Sequence, residues 1–341
     1  MRKVQYFAWF WRSEEMDDTD RKLMVLISEN PRMNSRELAK RLGISRQTVH
    51  HRMQVLTKIG VFKSLKAEIS FHYLDAVIVG VWGRFKAASV EEVMDKLGES
   101  EFTSSVRVAG GNELFVMGGL RNVSELDSYI EFVKRAAEMP QPTVGIMCFG
   151  DGINPDYYDG GKRKQTYEDL SPLDLKIIAS LQDDARKPTA EIADSIGVSA
   201  KTVRRHLENM VSNGSLDFYS PWDLTSGEDM FTLLYVNLKS GADKVRAARR
   251  LLSKDPIHLI YMRSFSNLPS FLIGLICSDK MSEIRKILRE IGEDEDVLSM
   301  TPNLLYFERS YTTWDHKLLA VLTRPSEKAK KHQSHPGAKT R

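Results

Sequence analysis

Apolar positions recur with a helical period through Leu23, Leu26 and Ile27, then through Leu38, Ala39 and Leu42, then through Val49, Met53 and Leu56. Three short amphipathic helices in succession are predicted. Ser35 is the expected N-cap of the second and Ser45 of the third. Gly43 separates them, because a tight interhelical turn favours a residue tolerant of positive φ, and Gly60 ends the third. A strand in the position of a wing follows, Phe62 to Phe71. From there the period changes. Ala76 to Trp82 is a continuous apolar run read as a buried strand, and Ser89 to Leu97 returns to helical spacing. Ser104 to Val108 and Leu114 to Leu120 are strands around a Gly-Gly-Asn turn, Val123 to Glu138 is a long amphipathic helix, and Val144 to Phe149 is a last strand. That order, β-α-β-β-α-β, is the order of a ferredoxin-like sandwich.

The whole pattern then repeats. An offset of 154 residues aligns 20–60 with 174–214 without a gap, placing Asp20 on Asp174, Arg32 on Arg186, Glu37 on Glu191, Gly43 on Gly197, Ser45 on Ser199, Thr48 on Thr202 and Gly60 on Gly214. The second α/β pattern runs through Thr232 to Leu238, Ala242 to Leu252, His258 to Arg263, Phe271 to Cys277, Met281 to Ile291 and Asn303 to Glu308. The fold class is therefore α+β, a tandem duplication of a winged helix-turn-helix followed by a ferredoxin-like domain. The expected divisions are an aromatic extension at 1–15, winged helices at 16–73 and 170–224, and ferredoxin-like domains at 74–150 and 225–314. A linker rich in Gly, Asp and Tyr spans 151–169, and a basic tail spans 315–341.

With Val49, Met53 and Leu56 turned inward, the third helix presents Arg46, Gln47, His50, His51 and Gln54 outward. These are groove-reading side chains: arginine pairs with guanine, glutamine pairs with adenine, and a helix fits the major groove. The second copy offers Ala200, Lys201, Arg204, Arg205 and Glu208 at the same positions.

The run Ile44-Ser45-x-x-Thr48-Val49-x-x-Arg52-x-x-x-Leu56-x-x-x-Gly60-Val61, preceded by Asp20 and by Glu37-Leu38-Ala39, resembles the winged helix of the Lrp/AsnC transcription regulators. The resemblance covers residues 16–310 as two copies. It implies a third helix in the major groove of double-stranded DNA and an α/β domain that pairs protomers into a homo-oligomer and binds a small effector such as an amino acid. With Ser45, Thr48 and Arg52 of that motif, Lys58 at one of its variable positions and Lys63 beyond it, the candidate DNA contacts are Ser45, Arg46, Gln47, Thr48, His50, His51, Arg52, Lys58, Lys63, Lys201, Arg204 and Arg205. The second copy departs from the motif at His206 and Ser215, where the first has Arg52 and Val61. Val108 to Leu114 is similar to the family's effector turn, which makes Gly110, Gly111, Asn112 and Glu113 the candidate effector contacts, with Glu113 in place of the family's Asp. The second copy's Arg263 to Pro269 has neither the Gly nor the acid.

Charge changes the picture further. Residues 20–63 hold ten Lys/Arg against three acids, net +7, whereas 174–217 hold six against seven, net −1. Residues 324–341 carry six Lys/Arg against one Glu, net +5. The formal total of +3 over 341 residues is thus a cancellation. Phosphate neutralisation supplies most non-specific DNA affinity, so the first winged helix is the stronger expected binder and the tail an expected auxiliary arm.

Length and 42% apolar content suffice for several packed domains. Cys148 and Cys277 give no disulfide framework and no zinc spacing, and no apolar run reaches the length of a membrane span, so a cytoplasmic setting is expected. Tyr6 to Trp11 imitates a signal peptide but runs at once into Arg12, Glu14 and Glu15. It is read as an element packed on the body, with a membrane or partner anchor or a misplaced start codon as the alternatives. Paired carboxylates, a nucleophile elbow, a phosphate loop and a metal spacing are all missing from the sequence, so neither catalysis nor a cofactor is expected. Two alternatives stay open. Siroheme decarboxylases resemble the same two-domain design, and would rely on groups such as Arg107, His258 and Arg263 to hold a tetrapyrrole; an adaptor would use the winged helices, the acidic second one above all, to bind protein.

Overall fold

A computed structural model of the protein describes residues 17–29, 32–58, 66–148, 166–219 and 229–323. The first copy comprises α1 (Asp18–Glu29), α2 (Ser35–Leu42), α3 (Arg46–Lys58), β1 (Lys66–Ile69), β2 (Val77–Arg84), α4 (Val90–Gly98), β3 (Thr103–Ala109), β4 (Glu113–Leu120), α5 (Leu126–Ala136) and β5 (Thr143–Ile146). The second comprises α6 (Pro172–Leu181), α7 (Thr189–Ile196), α8 (Ala200–Ser212), β6 (Leu216–Tyr219), β7 (Met230–Leu238), α9 (Lys244–Lys254), β8 (Leu259–Ser264), β9 (Phe271–Ser278), α10 (Met281–Gly292) and β10 (Val297–Ser310), followed by α11 (Trp314–Leu322). The α+β duplication read from the sequence is the architecture observed.

The local chemistry explains the helix ends. Helix α2 is capped by Asn34, whose side chain accepts from the Glu37 amide, and Ser35 is its first helical residue rather than the cap. Asn is at least as good an N-cap as Ser, so the start moves by one residue. Gly43 and Gly197 close α2 and α7 at φ 69° and 81°, conformations that cost a side-chain-bearing residue. Ser171 and Asp174 form a reciprocal capping box at the start of α6, with Pro172 in its first turn.

The strands that follow the two helical units do not form separate wings. β1 pairs antiparallel with β6, in register from Lys66 with Tyr219 to Ile69 with Leu216, so each copy supplies one strand of a shared ribbon. One hydrophobic core runs through both units across this ribbon, from Leu23, Leu38, Val49 and Leu56 to Ile177, Ile192, Val203 and Met210. Of the strand expected at 62–71, residues 62–65 lie outside those described.

Each α/β half keeps ferredoxin-like strand order, and the halves are fused edge to edge as β5-β2-β4-β3-β10-β7-β9-β8. The fusion is the β3–β10 ladder, which includes Arg107 opposite Glu308. The outer edges also meet: Met147 bridges Phe265, the Cys148 amide donates to the Ser264 carbonyl at 3.1 Å, and the Ser266 amide donates to the Ile146 carbonyl at 2.8 Å. The strand period of two then sorts side chains to two faces. One face packs under α4 and α5 through Val81, Val106 and Val116, and its counterpart in the second half packs under α9 and α10 through Leu234, Val236 and Ile276. The opposite faces turn toward each other and meet in an aromatic cluster. Trp82 stacks on Phe271 at 5.5 Å between ring centroids and lies 5.2 Å from Phe265 and 5.6 Å from Phe115. Phe265 lies against Gly145, where any Cβ would collide with its ring.

Helix α11 occupies the start of the segment expected to be tail. Its apolar residues Trp314 and Leu319 are buried in the core shared by the helical units, and Trp314 Nε1 donates to the Gly119 carbonyl at 2.8 Å. The aromatic extension, most of the linker (151–165) and the basic segment from Arg324 lie outside the described residues. No described helix is long and apolar enough to cross a membrane.

Candidate nucleic-acid interface

Helix α3 is fixed by what it buries and what it pins. Val49 and Leu56 face the core, while the Ser45 hydroxyl caps the Thr48 amide at 3.0 Å and contacts the Thr48 hydroxyl at 2.8 Å. Arg52 reaches back to the start of α1, 2.8 Å from Asp17 Oδ2 and 2.8 Å from Asp20 Oδ2. These contacts leave Arg46, Gln47, His50 and His51 as an exposed set on one helix face. Lys58 is exposed at the helix end, and Lys63 lies outside the described residues.

Helix α8 is built by the same rules. Ser199 caps it through the Thr202 amide at 3.1 Å, and Val203, Leu207 and Met210 are buried. Lys201, Arg204 and Arg205 are exposed. At the positions of the Arg52–Asp20 pair stands His206, its Nδ1 2.7 Å from Asp174 Oδ1. Burial alone would raise the Asp174 carboxyl, but hydrogen bonds from Ser171 and His206 bring it below the usual range. Both copies therefore tie the third helix to the first through a nitrogen-bearing side chain, Arg52 or His206, and an aspartate.

The structure revises where the first unit's charge is used. Arg21 is buried, with Nη2 2.7 Å from both Asp229 and Asp279, which anchors the first helical unit to the second α/β half. Arg32 donates to the Ala185 and Lys187 carbonyls, and Arg41 pairs with Glu37 at 2.9 Å. With Arg52, four of the ten basic residues between 20 and 63 pair with groups of the chain, Arg41 doing so at the surface. Lys22, Arg36, Lys40, Arg41, Arg46 and Lys58 are exposed. The second unit also exposes bases, Lys201, Arg204 and Arg205 among them, but it adds the exposed acids Asp183, Asp184, Glu191, Asp194 and Glu208. The difference between the copies is thus mainly one of added acids. It is sharpest in the helix before each third helix, where exposed Lys40 on α2 corresponds to exposed Asp194 on α7. Sequence reasoning missed Arg36 and Lys40 as candidate contacts, although their spacing along the polar face of a basic helix was the available signal.

The turn expected to bind an effector lies at the seam between the α/β halves. Gly111 and Asn112 are left-handed at φ 74° and 57°, the Gly110 amide donates to the Leu304 carbonyl at 3.1 Å, and Tyr235 Oη donates to Glu113 at 3.3 Å. An added Cβ at Gly110 would meet nothing within 4 Å, so the turn borders open space. Burial pushes the Glu113 carboxyl above the ordinary range. The corresponding turn of the second copy is consumed as a clasp: Asn267 Oδ1 accepts from the Ile146 amide at 2.8 Å and its Nδ2 donates to the Val144 carbonyl at 2.9 Å. Nearby, Arg107 donates to Glu308 Oε1 at 3.1 Å and to Tyr261 Oη at 2.9 Å, joining positions 154 residues apart.

Comparison with known proteins agrees with this construction. A family model described as a winged helix-turn-helix DNA-binding segment matches twice, at residues 16–63 and 170–214. The HTH-type transcriptional regulator Ptr1 of Methanocaldococcus jannaschii is 28% identical over 150 residues, covering 43% of this chain and 97% of its own length. The HTH-type transcriptional regulator AldR of Mycolicibacterium smegmatis is 25% identical over 164 residues, covering 47% of this chain and 95% of its own length. Whole regulators therefore match about half of the chain. The solved structure of the siroheme decarboxylase NirDL covers 94% of this chain and all of its own, with a TM-score of 0.55 at 11% identity, a likeness of fold.

Proposed function

We propose that this chain, an internally duplicated Lrp/AsnC-like regulator that binds DNA through winged helix-turn-helix units, reads one asymmetric duplex site as a single chain. The observation that carries the reading is the pair of third helices held on one shared core and ribbon, with unlike exposed sets: Arg46, Gln47, His50 and His51 on α3, and Lys201, Arg204 and Arg205 on α8. Unlike readers on one frame select an imperfect palindrome. The first unit makes the larger share of phosphate contacts because the second surrounds its bases with acids. Ser45, Thr48 and Arg52 act by positioning α3 rather than by reaching bases. Charge reversal of Arg46 and Lys58, compared with reversal of Lys201 and Arg204, tests the division of labour by anisotropy titration. Equal losses would refute it.

The edges through which two protomers would pair are used within the chain by the β3–β10 ladder and the Met147–Phe265 bridge. One chain is therefore the DNA-binding unit, and sedimentation of the DNA complex at one chain per site is the expected outcome. Effector binding is assigned to Gly110, Gly111, Asn112 and Glu113 of the first copy. Support comes from the open space at this turn and from the conversion of its counterpart into a clasp. A thermal-shift panel of amino acids on the chain and on Glu113→Gln tests it.

The likeness to NirDL raises a catalytic reading, which the side chains do not favour. Arg107 is matched to Glu308, and His258 lies 2.9 Å from Asp255 and 3.0 Å from Glu283, so two of the three groups that would meet a tetrapyrrole carboxylate already face acids of the chain, while the third, Arg263, lies over the Tyr261 ring at 5.7 Å. These residues do not fit that ligand. Titration with siroheme or heme is expected to leave the absorbance spectrum of the ligand unchanged.

A further inference from the structure

The β1–β6 ribbon places Glu68 directly opposite Asp217. Like charges across an antiparallel pair repel, and nothing in the pairing itself relieves them. Over this pair lies the first turn of α11, set by the Trp314 amide on the Glu101 carbonyl at 3.0 Å and by the indole on Gly119. The turn carries Asp315 and His316. Ligating atoms of Glu68, Asp315 and His316 all lie within 4.8 Å of one another. Among the described residues, no lysine or arginine pairs with Glu68 or Asp315. Thr313 Oγ1 donates to Asp315 Oδ1 at 2.5 Å, and His316 Nδ1 is 3.4 Å from Asp315 Oδ2. Among the described residues no hydrogen bond or ion pair satisfies the Glu68 carboxylate, which faces Asp217 across the ribbon and Asp315 across the seam.

We propose that Glu68, Asp315 and His316 hold a divalent transition-metal ion at the seam between the winged-helix ribbon and α11. Two carboxylates and an imidazole form a mixed oxygen and nitrogen donor set, which suits zinc or manganese better than calcium or magnesium. Donors about 2.1 Å from a common ion stand about 3 to 4 Å apart, so a contraction of under about 2 Å assembles the site. Asp217 supplies further negative charge beside it. Thr313 holds Asp315 through its hydroxyl and so orients one ligand. Sequence spacing could not reveal this site, because Glu68 and Asp315 come together only through the ribbon and the returning C-terminal helix. A bound ion would pin α11, which spans both α/β and winged-helix packing, to the ribbon that joins the two readers.

The test uses the untagged full chain, stripped with chelator, then dialysed against micromolar Zn²⁺ or Mn²⁺ and measured for bound metal and melting temperature. One ion per chain and a raised melting temperature are expected with at least one of the two metals. Glu68→Gln should weaken that binding by at least about tenfold, and in chelator it should melt at or above the parent chain, since it removes repulsion. His316→Ala should also lose the ion. No stoichiometric uptake of either metal would overturn the proposal. So would uptake that survives both substitutions, or a metal-free Glu68→Gln chain that melts below the parent.

Discussion

Exchanging Lys40 and Asp194 one at a time asks whether the electrostatic difference between the copies lies where the surface places it. The two residues occupy the same position in the helix preceding α3 and α8, and both are exposed, so neither substitution removes a packed contact. Stability should change by less than about 0.5 kcal/mol, which a melt verifies. The binding effect follows from counterion release. One phosphate contact contributes about 0.9 to the slope of log affinity against log salt, which over a fourfold change in salt amounts to about 3.5-fold in affinity. Lys40→Asp should therefore flatten the slope by about 1 and weaken binding most at low salt. Asp194→Lys should steepen it by about the same amount and tighten binding, because a repelled phosphate becomes an attracted one. The assay is anisotropy of a labelled duplex between about 50 and 200 mM salt. If Asp194→Lys leaves the slope unchanged, the second unit does not lie along the DNA. If Lys40→Asp leaves it unchanged, the first unit does not lie there either, and the reasoning from exposed charge fails.

Other outcomes follow from the packing and the titrating groups. Gly145→Ala drives a methyl into the Phe265 ring at the seam and should cost about 1–3 kcal/mol in urea denaturation, whereas an unchanged midpoint would show that the seam is loose. Arg52→Ala removes the guanidinium from two aspartates and should destabilise by about 1–3 kcal/mol. Arg52→His, which installs the pairing of the second copy, should recover part of that loss, and a recovery no better than alanine would contradict the positioning role. Asp294, hydrogen-bonded by Arg250 and paired with Lys254, has its carboxyl lowered to about 2. Its contribution is present above the ordinary carboxylate value near 3.8 and is lost as pH falls toward about 2. With Arg250 partly exposed, that contribution is about 1–2 kcal/mol, and Asp294→Asn should remove this part of the acid dependence between pH 4 and 2.

Elements that repeat are legible in the sequence alone. Periodicity locates α1 to α3 and the six α/β elements, and the 154-residue offset transfers them to the second half. What stays hidden is non-local. A four-residue strand such as β1 carries no mark of a partner 150 residues away, and the closure of the eight strands depends on edges that look alike in every ferredoxin-like half. Helix α11 escapes a reading by composition because its apolar turn adjoins a basic run. The candidate interface shows the same limit in charge. Arg46, Gln47, His50 and His51 are readable from the face opposite Val49 and Leu56, whereas the engagement of Arg21, Arg32 and Arg52 is not. One clue does exist: aspartate persists at positions 20 and 174 while the residue facing it changes from Arg52 to His206.

Selection of bound sites from a random duplex library by the full chain tests the asymmetric single-chain reader most directly. The expected product is one imperfectly palindromic site with one better-defined half, and Arg46→Ala should relax that half while Arg204→Ala relaxes the other. A strictly symmetric site, or no enrichment over the starting library, would contradict it.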